Sequence, residues 1–237
     1  MSRTLFERGF IIGESKIHMK SDRRDAILSA LKEIKRQRRE LKDYVRRHPE
    51  FLYSLTPVEE TDVAPKIVQK MIEASMVANV GPMASVGGAI ADIGVEAMLN
   101  SSARTAIVED GGEVSISSES EITISILSED YSLSGKIGFL ISKEDSPLGI
   151  STSSSKTGRV LSLGDADSVT VVARDAALAD AAATAICNEV LGTYPSESIL
   201  NGLKKAQEIK GVRGVIIIRE GLVGVWGRIP RIVKIKQ

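Results

Sequence analysis

An alanine-rich stretch, DAALADAAATAICNEV at residues 175–190, constrains the fold more than any other part of the sequence. Its pattern predicts a helix that is apolar on almost all sides, which is typical of a helix packed inside a domain. At about 100° per residue, Thr184 lies about 40° from Asp180, and Cys187 lies about 20° from it on the other side. The three polar side chains therefore share one narrow stripe. We expect Asp180 to be buried and to need a partner, because an unpaired buried charge is costly.

The stripe has two interpretations. Asp180 and Thr184, one turn apart, offer oxygen atoms of the kind that Mg²⁺ accepts, with backbone carbonyls, water or a ligand phosphate completing the set. Alternatively, both are structural, since a buried Asp can accept hydrogen bonds from backbone N–H groups and a buried Thr can bond to the preceding turn. Cys187 by itself is typical of a small buried hydrophobic residue, and its apolar neighbours Ile186 and Val190 favour burial over reactivity.

Composition excludes several classes of function. Lys plus Arg equals Asp plus Glu at 31 each, and aromatic residues make up only 4%, which argues against nucleic-acid binding. The N-terminus lacks an apolar signal core, and the longest apolar run is interrupted by Asp92 and Glu96, so we expect a soluble cytoplasmic protein that does not enter a membrane. One cysteine and two histidines, His18 and His48, exclude a disulfide framework and a Cys- or His-rich metal site.

The first 60 residues predict a β-hairpin at 3–20 followed by a long helix at 24–47, capped by Ser21 and Asp22 and ended by Pro49. The helix carries a basic run, KRQRR, but acidic residues alternate with it at helical spacing, which favours a solvated face over a nucleic-acid arm. We expect this helix to be a surface element whose loss leaves the functional site intact.

Beyond residue 65 the pattern predicts two apolar helical segments, a series of strands, the alanine-rich helix, a further helix, a hairpin turning at REG and a last strand. Strands in runs with helices between them predict an α+β layered fold with a mixed or antiparallel sheet packed by helices. We expect one domain that spans residues 1–237, of which 1–60 form the N-terminal hairpin and long helix.

Three segments of small residues are candidates for a ligand site. In NVGPMASVGGAIAD, Pro82 suits the first turn of a helix whose free N–H groups can hold a phosphate, whereas Gly87 and Gly88 can simply allow close helix packing. In EDGGEV, Gly111 and Gly112 by themselves indicate a hairpin turn.

The third segment, GISTSSSKTGR at 149–159, predicts a hydroxyl-rich loop. It is not a phosphate-binding P-loop, because Ser155 stands where the glycine before Lys-Thr is required. A flexible surface loop is the alternative interpretation of this segment.

The order of these motifs resembles the ApbE-like flavin transferase superfamily over about residues 78–192. The resemblance is closest to an uncharacterised branch in archaea and anaerobic bacteria, and its most specific part is Ala-Asp-Ala-x-x-Thr-Ala. It implies an ApbE-like fold in which Asp180 and Thr184 hold Mg²⁺. It further implies a flavin nucleotide, FMN or FAD, near a set of small residues: Gly87, Gly88, Gly111, Gly112, Thr152, Ser153 and Ser154.

The sequence also departs from that superfamily. No lysine follows the first glycine pair, Ser154 replaces the glycine of a Thr-Ser-Gly loop, and Arg159 stands where a histidine is common. A shared fold does not fix a shared reaction. Our first hypothesis is a protein that binds Mg²⁺ and a phosphate-bearing small molecule. If it is an enzyme, the resemblance implies an FMN-group transferase that uses FAD. The alternative is a non-catalytic carrier or partner in sulfide assimilation and homocysteine formation, with Cys187 as its thiol. A homodimer is the assembly that we consider.

Overall fold

The computed structural model describes residues 5–59, 64–125, 137–154 and 164–235. Within these ranges the chain forms six α-helices and eleven strands. The helices are α1 (Arg24–Arg47), α2 (Glu50–Tyr53), α3 (Lys66–Ala78), α4 (Val86–Asn100), α5 (Ala176–Glu189) and α6 (Pro195–Glu208), and a 3₁₀ helix, Pro82–Ser85, leads into α4. The strands are β1 (Phe6–Ile12), β2 (Ser15–Ser21), β3 (Thr105–Asp110), β4 (Glu113–Ser118), β5 (Ile122–Ser125), β6 (Ile137–Ile141), β7 (Leu148–Ser153), β8 (Ser168–Ala173), β9 (Val212–Arg219), β10 (Leu222–Gly227) and β11 (Arg231–Lys234).

Two sheets organise the strands. The larger has eight strands in the order β1-β2-β3-β4-β7-β8-β9-β10, and the smaller has three in the order β11-β6-β5. Every described pairing in both sheets is antiparallel. The predicted α+β class with helices packed on a sheet is therefore confirmed, and the sheet is antiparallel rather than mixed.

The helices cover one face of the large sheet, with α5 at their centre. This helix contacts α3, α4, α6 and the strands β7 and β8 beneath it. All of its alanines are buried, and small side chains are needed because the neighbouring backbones come close. A Cβ atom on Gly88 would overlap the backbone of Ala176 at the start of α5, and one on Gly149 would overlap Asp175.

The small sheet covers the other face. Alternate residues of the central strands point away from the helices and join a second apolar cluster with Phe139 and Ile141 of β6. The central strands of the large sheet are therefore buried on both sides, which accounts for strands such as β8 in which every residue is buried.

Most predicted elements are confirmed, including the N-terminal hairpin, the long helix 24–47 and the hairpin around Glu220–Gly221. Two expectations are wrong. The segment from 149 is not a loop at its start, because β7 continues to Ser153 and pairs with β8. The start of α1 has no side-chain cap, since Asp22 accepts from the N–H groups of Arg104 and Thr105 instead. The remainder of that segment, 155–159, lies outside the described residues.

One stretch, Pro82–Asn100, is long and apolar enough to cross a membrane by length and composition. In the fold it is a core helix, because α4 lies between α1, α5 and the large sheet and most of the stretch is buried. Asp92, which interrupts its apolar run, is buried with it.

Candidate functional site

A cavity of about 870 Å³ opens between α1 and the helix layer. Its floor includes Asp180 and Thr184 of α5, and its rim includes Asp110, Gly111 and Glu113 of the β3–β4 hairpin. The end of β7 and the start of α4 complete this side. Parts of the EDGGEV and GISTSSS segments therefore border one cavity together with Asp180 and Thr184.

Two carboxylates meet at the N-terminus of α4. The N–H of Gly88 donates to Asp180 Oδ2 at 3.0 Å, and a Cβ atom on Gly87 would lie 2.6 Å from Glu113 Oε2. The positive end of the α4 helix dipole thus faces two negative groups of the protein itself.

One hydroxyl lies between these carboxylates. Ser151 Oγ lies 3.5 Å from Asp180 Oδ1 and 3.4 Å from Glu113 Oε1. Because a hydroxyl has a single hydrogen, it can donate to only one of them at a time. The carboxylate oxygen that does not receive this hydrogen bond then needs a proton or a bound cation as its partner.

Burial and repulsion from neighbouring negative charges raise the pKa values of Asp180 and Glu113. Burial is the main cause that raises the pKa of Asp180 to about 7, and the charge of Asp110 adds to the shift. Burial also raises the pKa of Glu113 well above its ordinary value, with the charges of Asp180 and Asp110 as further causes. A bound cation would relieve both effects.

The structure corrects the expectation of free N–H groups at the start of α4. The Gly88 N–H is occupied by Asp180, so this helix end already holds an anion. Gly88 is also needed for contact with α5, and Gly87 leaves room for the Glu113 carboxylate. Of the two glycines only Gly87 lines the cavity.

The carboxylate of Asp92 also links α4 and α5, in the opposite direction to that of Asp180. Asp92 of α4 accepts from the N–H groups of Ala176 and Ala177 at the start of α5, at 3.0 and 2.9 Å, and from Ser115 Oγ at 2.6 Å. Each helix therefore contributes a carboxylate to the N-terminus of the other. This reciprocal capping fixes where α5 places Asp180.

Another wall of the cavity is basic. It comes from α1 and β2, which contribute Lys16, Arg38, Lys42 and Arg46 to the cavity. Arg38 is held in place because its Nη1 donates to Ser15 Oγ at 2.7 Å, and that hydroxyl donates in turn to Asp110 Oδ2 at 2.9 Å. The cavity thus has one acidic and one basic side.

This wall also corrects the expectation for α1. The helix has a buried face that packs on α4, and Leu41 and Val45 line the cavity beside its cations. Removing α1 would remove one wall of the site. Part of its basic run is nevertheless a solvated face as predicted, because Arg36 pairs with Glu33 and Glu40.

Of the remaining residues that the sequence predicts for the site, some line the cavity and others do not. Thr152 and Ser153 line the cavity, although the Thr152 hydroxyl is 3.0 Å from that of Thr170 on β8. Ser154 is buried and does not line the cavity, and Gly112 completes the hairpin turn with a φ of 138°. Cys187 is fully buried and lies away from the cavity.

The chemistry of the donor set fits Mg²⁺. Among the described residues, no three His, Cys, Asp or Glu side chains are close enough to hold a metal ion by themselves. Mg²⁺ does not need three such side chains, since it commonly binds one or two carboxylates, several waters and a ligand phosphate. Asp180 Oδ1, Glu113 and the Thr184 hydroxyl are hard oxygen donors bordering the same cavity.

The shifted pKa predicts how stability depends on pH in the ligand-free protein. Asp180 titrates at about 7 when folded, against an ordinary 3.8, so the folded state binds the proton more tightly. Its contribution is fully present below about pH 4 and is lost as the pH rises through about 7. The unfolding free energy of wild type minus that of Asp180→Asn should therefore fall over this range in urea titrations. The pKa of Glu113 is raised in the same direction, but Glu113 is present in both proteins and largely cancels from this difference. A pH-independent difference would contradict it.

Sequence reasoning missed Glu113, Asp110 and Asp92 as important carboxylates. Asp110 and Glu113 flank a two-residue turn and are direct cross-strand partners, so they must share a face of the sheet. Asp92 stands inside an apolar helix, and the argument that Asp180 needs a partner applies to it equally.

Comparisons with known proteins agree with this architecture. The family model described as AbpE bacteria matches residues 9–209. The UPF0280 protein of Methanocaldococcus jannaschii is 40% identical over 231 residues, covering 97% of this chain and 93% of that protein. The UPF0280 protein of Methanothermobacter thermautotrophicus is 39% identical over 224 residues, covering 94% and 86%.

Solved structures share the fold. The flavin transferase ApbE from Vibrio cholerae superposes with a TM-score of 0.58 at 12% identity, covering 94% of this chain and 96% of that chain. The ApbE protein from Thermotoga maritima superposes with a TM-score of 0.57 at 14% identity, covering 93% and 96%. At these identities the likeness concerns the fold.

Proposed function

The chain belongs to an ApbE-like family, the one described as AbpE bacteria, and from this premise we propose that its cavity binds Mg²⁺ together with a phosphate-bearing small molecule, a flavin nucleotide. The observation that carries the proposal is the division of the cavity into an acidic and a basic side. Asp180 and Glu113 suit a metal ion, and Arg38 and Lys42 suit the phosphate that would share it.

Each part of the cavity has a role in this proposal. Asp180 would hold the metal through Oδ1, because Oδ2 already accepts a hydrogen bond from the N–H of Gly88. Arg38, fixed by Ser15, orients the phosphate. Apolar side chains on α1 and near the start of α4, including Leu41, Met83 and Ile90, offer a dry surface for an aromatic ring system.

The V. cholerae neighbour is named a flavin transferase, and the reaction that we propose is transfer of the FMN group of FAD to an oxygen of an acceptor. The acceptor oxygen would form a bond to the FMN phosphorus, the bond between the two phosphates of FAD would break, and AMP and the acceptor's proton would be released. When bound, Mg²⁺ would act as a Lewis acid that polarises a phosphoryl oxygen. The residues of the chain bind and orient the phosphates, and Asp180 and Glu113 would hold the ion beside them.

The proposal is tested by titrating the protein with FMN, FAD and riboflavin, each with Mg²⁺ and with EDTA, and following flavin fluorescence. Riboflavin, which has no phosphate, should bind at least about tenfold more weakly than FMN in Mg²⁺, because it cannot use the charged contacts. EDTA should remove most of the difference. Equal affinities for FMN and riboflavin, or affinities that do not depend on Mg²⁺, would contradict the proposal.

The alternative role as a thiol carrier in sulfur metabolism gains no support from the geometry. A carrier thiol must be reached by its partners and has a lowered pKa. Cys187 has no exposed surface, and the backbone of Gly164 packs against its carbonyl. The binding function is therefore the one that we retain.

A further inference from the structure

The large sheet ends in two edge strands of different composition. At one edge lies β1, whose sequence FERGFII includes Glu7 and Arg8. At the other edge lies β10, whose sequence LVGVWG has no charged residue and which pairs with β9 alone among the described strands. Charged side chains on an edge strand discourage pairing with another chain. The β1 edge has this protection and the β10 edge does not.

The side chains of β10 are apolar on both faces of the sheet. Val223 and Val225 lie on the face of the small sheet and are 59% and 51% exposed. Their partners on β9, Ile218 and Ile216, belong to the second apolar cluster or pack against it, so this apolar surface extends to the edge. Leu222 lies on the helix face and is also exposed.

The backbone of β10 offers hydrogen-bonding groups along the same edge. In an antiparallel hairpin with a two-residue turn, the residues next to the turn form a hydrogen-bonded pair, and such pairs alternate along the strands. The turn here is Glu220–Gly221, so the first, third and fifth residues of β10 direct their N–H and C=O groups toward β9. The second and fourth residues, Val223 and Val225, therefore direct theirs outward.

A second copy of β10 is complementary to this edge. When two copies pair antiparallel about a two-fold axis at Gly224, each Val223 lies opposite Val225 of the other copy. Both residues direct their backbone groups outward, so the two pairs would form four hydrogen bonds between the copies. Moving the axis by half a residue would place outward groups opposite inward ones, and those hydrogen bonds would be lost.

The charges at the ends of β10 favour the same register. Glu220 precedes the strand and Arg228 follows it, each four residues from Gly224. An axis at Gly224 therefore places Glu220 of each copy opposite Arg228 of the other, so that unlike charges meet at both ends. Each side chain has an ion pair within its own chain, with Arg219 and with Asp145, but they remain 62% and 73% exposed. Such exposed pairs determine register more than affinity.

The helix above β10 extends the apolar edge. Helix α6 packs so closely on β10 that a Cβ atom on Gly224 would overlap the side chain of Ile199. Gly202 of α6 faces Ile186 of α5, and Leu200 lies about 200° from Gly202 around the helix, on the flank away from α5. Leu200 is exposed. In the paired arrangement the two α6 helices lie on the same face of the joined sheet, with this flank toward the axis.

We propose that the β10 edge is an interface with a second copy of this chain, in which the two large sheets join into one continuous antiparallel sheet. The occupant is a second copy because the backbone groups, apolar side chains and end charges of β10 are complementary to those of β10 itself. No residue of β10 or α6 lines the cavity that contains Asp180. The inference is therefore independent of the proposed function.

The interface is tested by sedimentation equilibrium of the full chain at about 1–100 µM, a range in which dissociation constants of interfaces between proteins can be measured. Wild type should have close to twice the 25.5 kDa mass of one chain at the upper end of this range. Val225→Lys places a charge opposite Val223 of the other copy and should raise the dissociation constant of the dimer at least about tenfold. A wild-type protein that is monomeric throughout would overturn the proposal.

Ile11→Lys is the matched control. Ile11 is an exposed β-branched residue like Val225, but it lies on β1 at the opposite edge of the same sheet. This variant should dimerise as wild type does, and both variants should keep the wild-type circular dichroism spectrum, because both positions are exposed. Equal dissociation constants for Val225→Lys and Ile11→Lys would overturn the assignment of the interface to β10.

Disulfide trapping tests the register. The native Cys187 is fully buried, so it does not compete with thiols introduced at the surface. In Val223→Cys/Val225→Cys each new thiol lies opposite a thiol of the other copy, at the Cα separation of about 5.5 Å of a hydrogen-bonded pair, which a disulfide can span. Mild oxidation should convert this variant into a covalent dimer on a non-reducing gel.

The single variants Val223→Cys and Val225→Cys control for other registers. In each of them the two identical positions are offset by two residues across the axis, beyond the separation that a disulfide spans. Both should therefore form far less covalent dimer than the double variant. Efficient cross-linking of either single variant, or none in the double variant, would overturn the pairing about Gly224.

Discussion

Replacing Asp92 by alanine should lower the free energy of unfolding by about 3–5 kcal/mol, because a buried carboxylate that accepts three hydrogen bonds is removed. The N–H groups of Ala176 and Ala177 and the Ser115 hydroxyl would remain in an apolar environment without their acceptor. The start of α5 should loosen with them. Chemical denaturation followed by circular dichroism measures the loss.

Two further variants make this result specific. Asp92→Asn keeps one oxygen for an N–H donor but turns an amide toward another, so it should lose an intermediate amount of stability. Asp43→Ala removes an exposed carboxylate that pairs with Arg46 on α1, and it should change stability by no more than about 0.5 kcal/mol. An Asp92→Ala protein as stable as Asp43→Ala would show that the reciprocal capping contributes little.

Replacing Asp180 by asparagine should weaken Mg²⁺ binding by about a hundredfold or more while largely keeping the fold. The asparagine oxygen can still accept from Gly88, whereas the charge that the metal needs is gone. In wild type, Mg²⁺ with FMN at about 100 times the dissociation constant should stabilise the protein by about 2.7 kcal/mol. The variant should show almost none of this shift in a thermal melt.

The alanine variant separates the two roles of Asp180. Asp180→Ala should lose the metal-dependent shift and also about 1 kcal/mol of stability without metal, because the Gly88 N–H loses its acceptor. Equal Mg²⁺-dependent shifts in wild type and Asp180→Asn would refute the assignment of Asp180 to the metal. The structural role would then be the whole explanation for this carboxylate.

The burial of the alanine-rich helix was predictable, because its composition requires that neighbouring elements pack close to it. Its seven alanines are too small to fill space between elements, so neighbouring backbones must approach, as those at Gly88 and Gly149 do. The stripe of Asp180 and Thr184 was predictable from helical geometry alone. Cys187 shares that stripe but not the cavity, because the chain at Gly164 covers the end of the helix, and local periodicity carries no information about such a contact.

The acidic partner of the site could not be located in the same way. Glu113 reaches Ser151 and the start of α4 through the pairing of β3, β4 and β7, which joins residues far apart in the sequence. A hairpin turn was predictable at Gly111–Gly112, but its position over α4 was not. Strand order, unlike helical periodicity, is determined by packing across the whole sheet.

The role of α1 was wrongly predicted for a related reason. Its alternating charges correctly indicate solvated positions, but they cannot show that Arg38 faces Ser15 of the preceding hairpin. Only the docking of the hairpin onto the large sheet turns this part of the helix into a cavity wall. Buried Gln37, which accepts from the N–H of Ile67, shows the same dependence on tertiary contacts.

The most direct test of the metal site is the anomalous diffraction of crystals grown with Mn²⁺ and FMN. Mn²⁺ takes the same octahedral oxygen ligands as Mg²⁺ and is visible by its anomalous signal. We expect one strong peak next to Asp180 Oδ1, with the FMN phosphate between it and Arg38. A peak elsewhere in the protein, or FMN bound in the cavity with no metal beside Asp180, would contradict it.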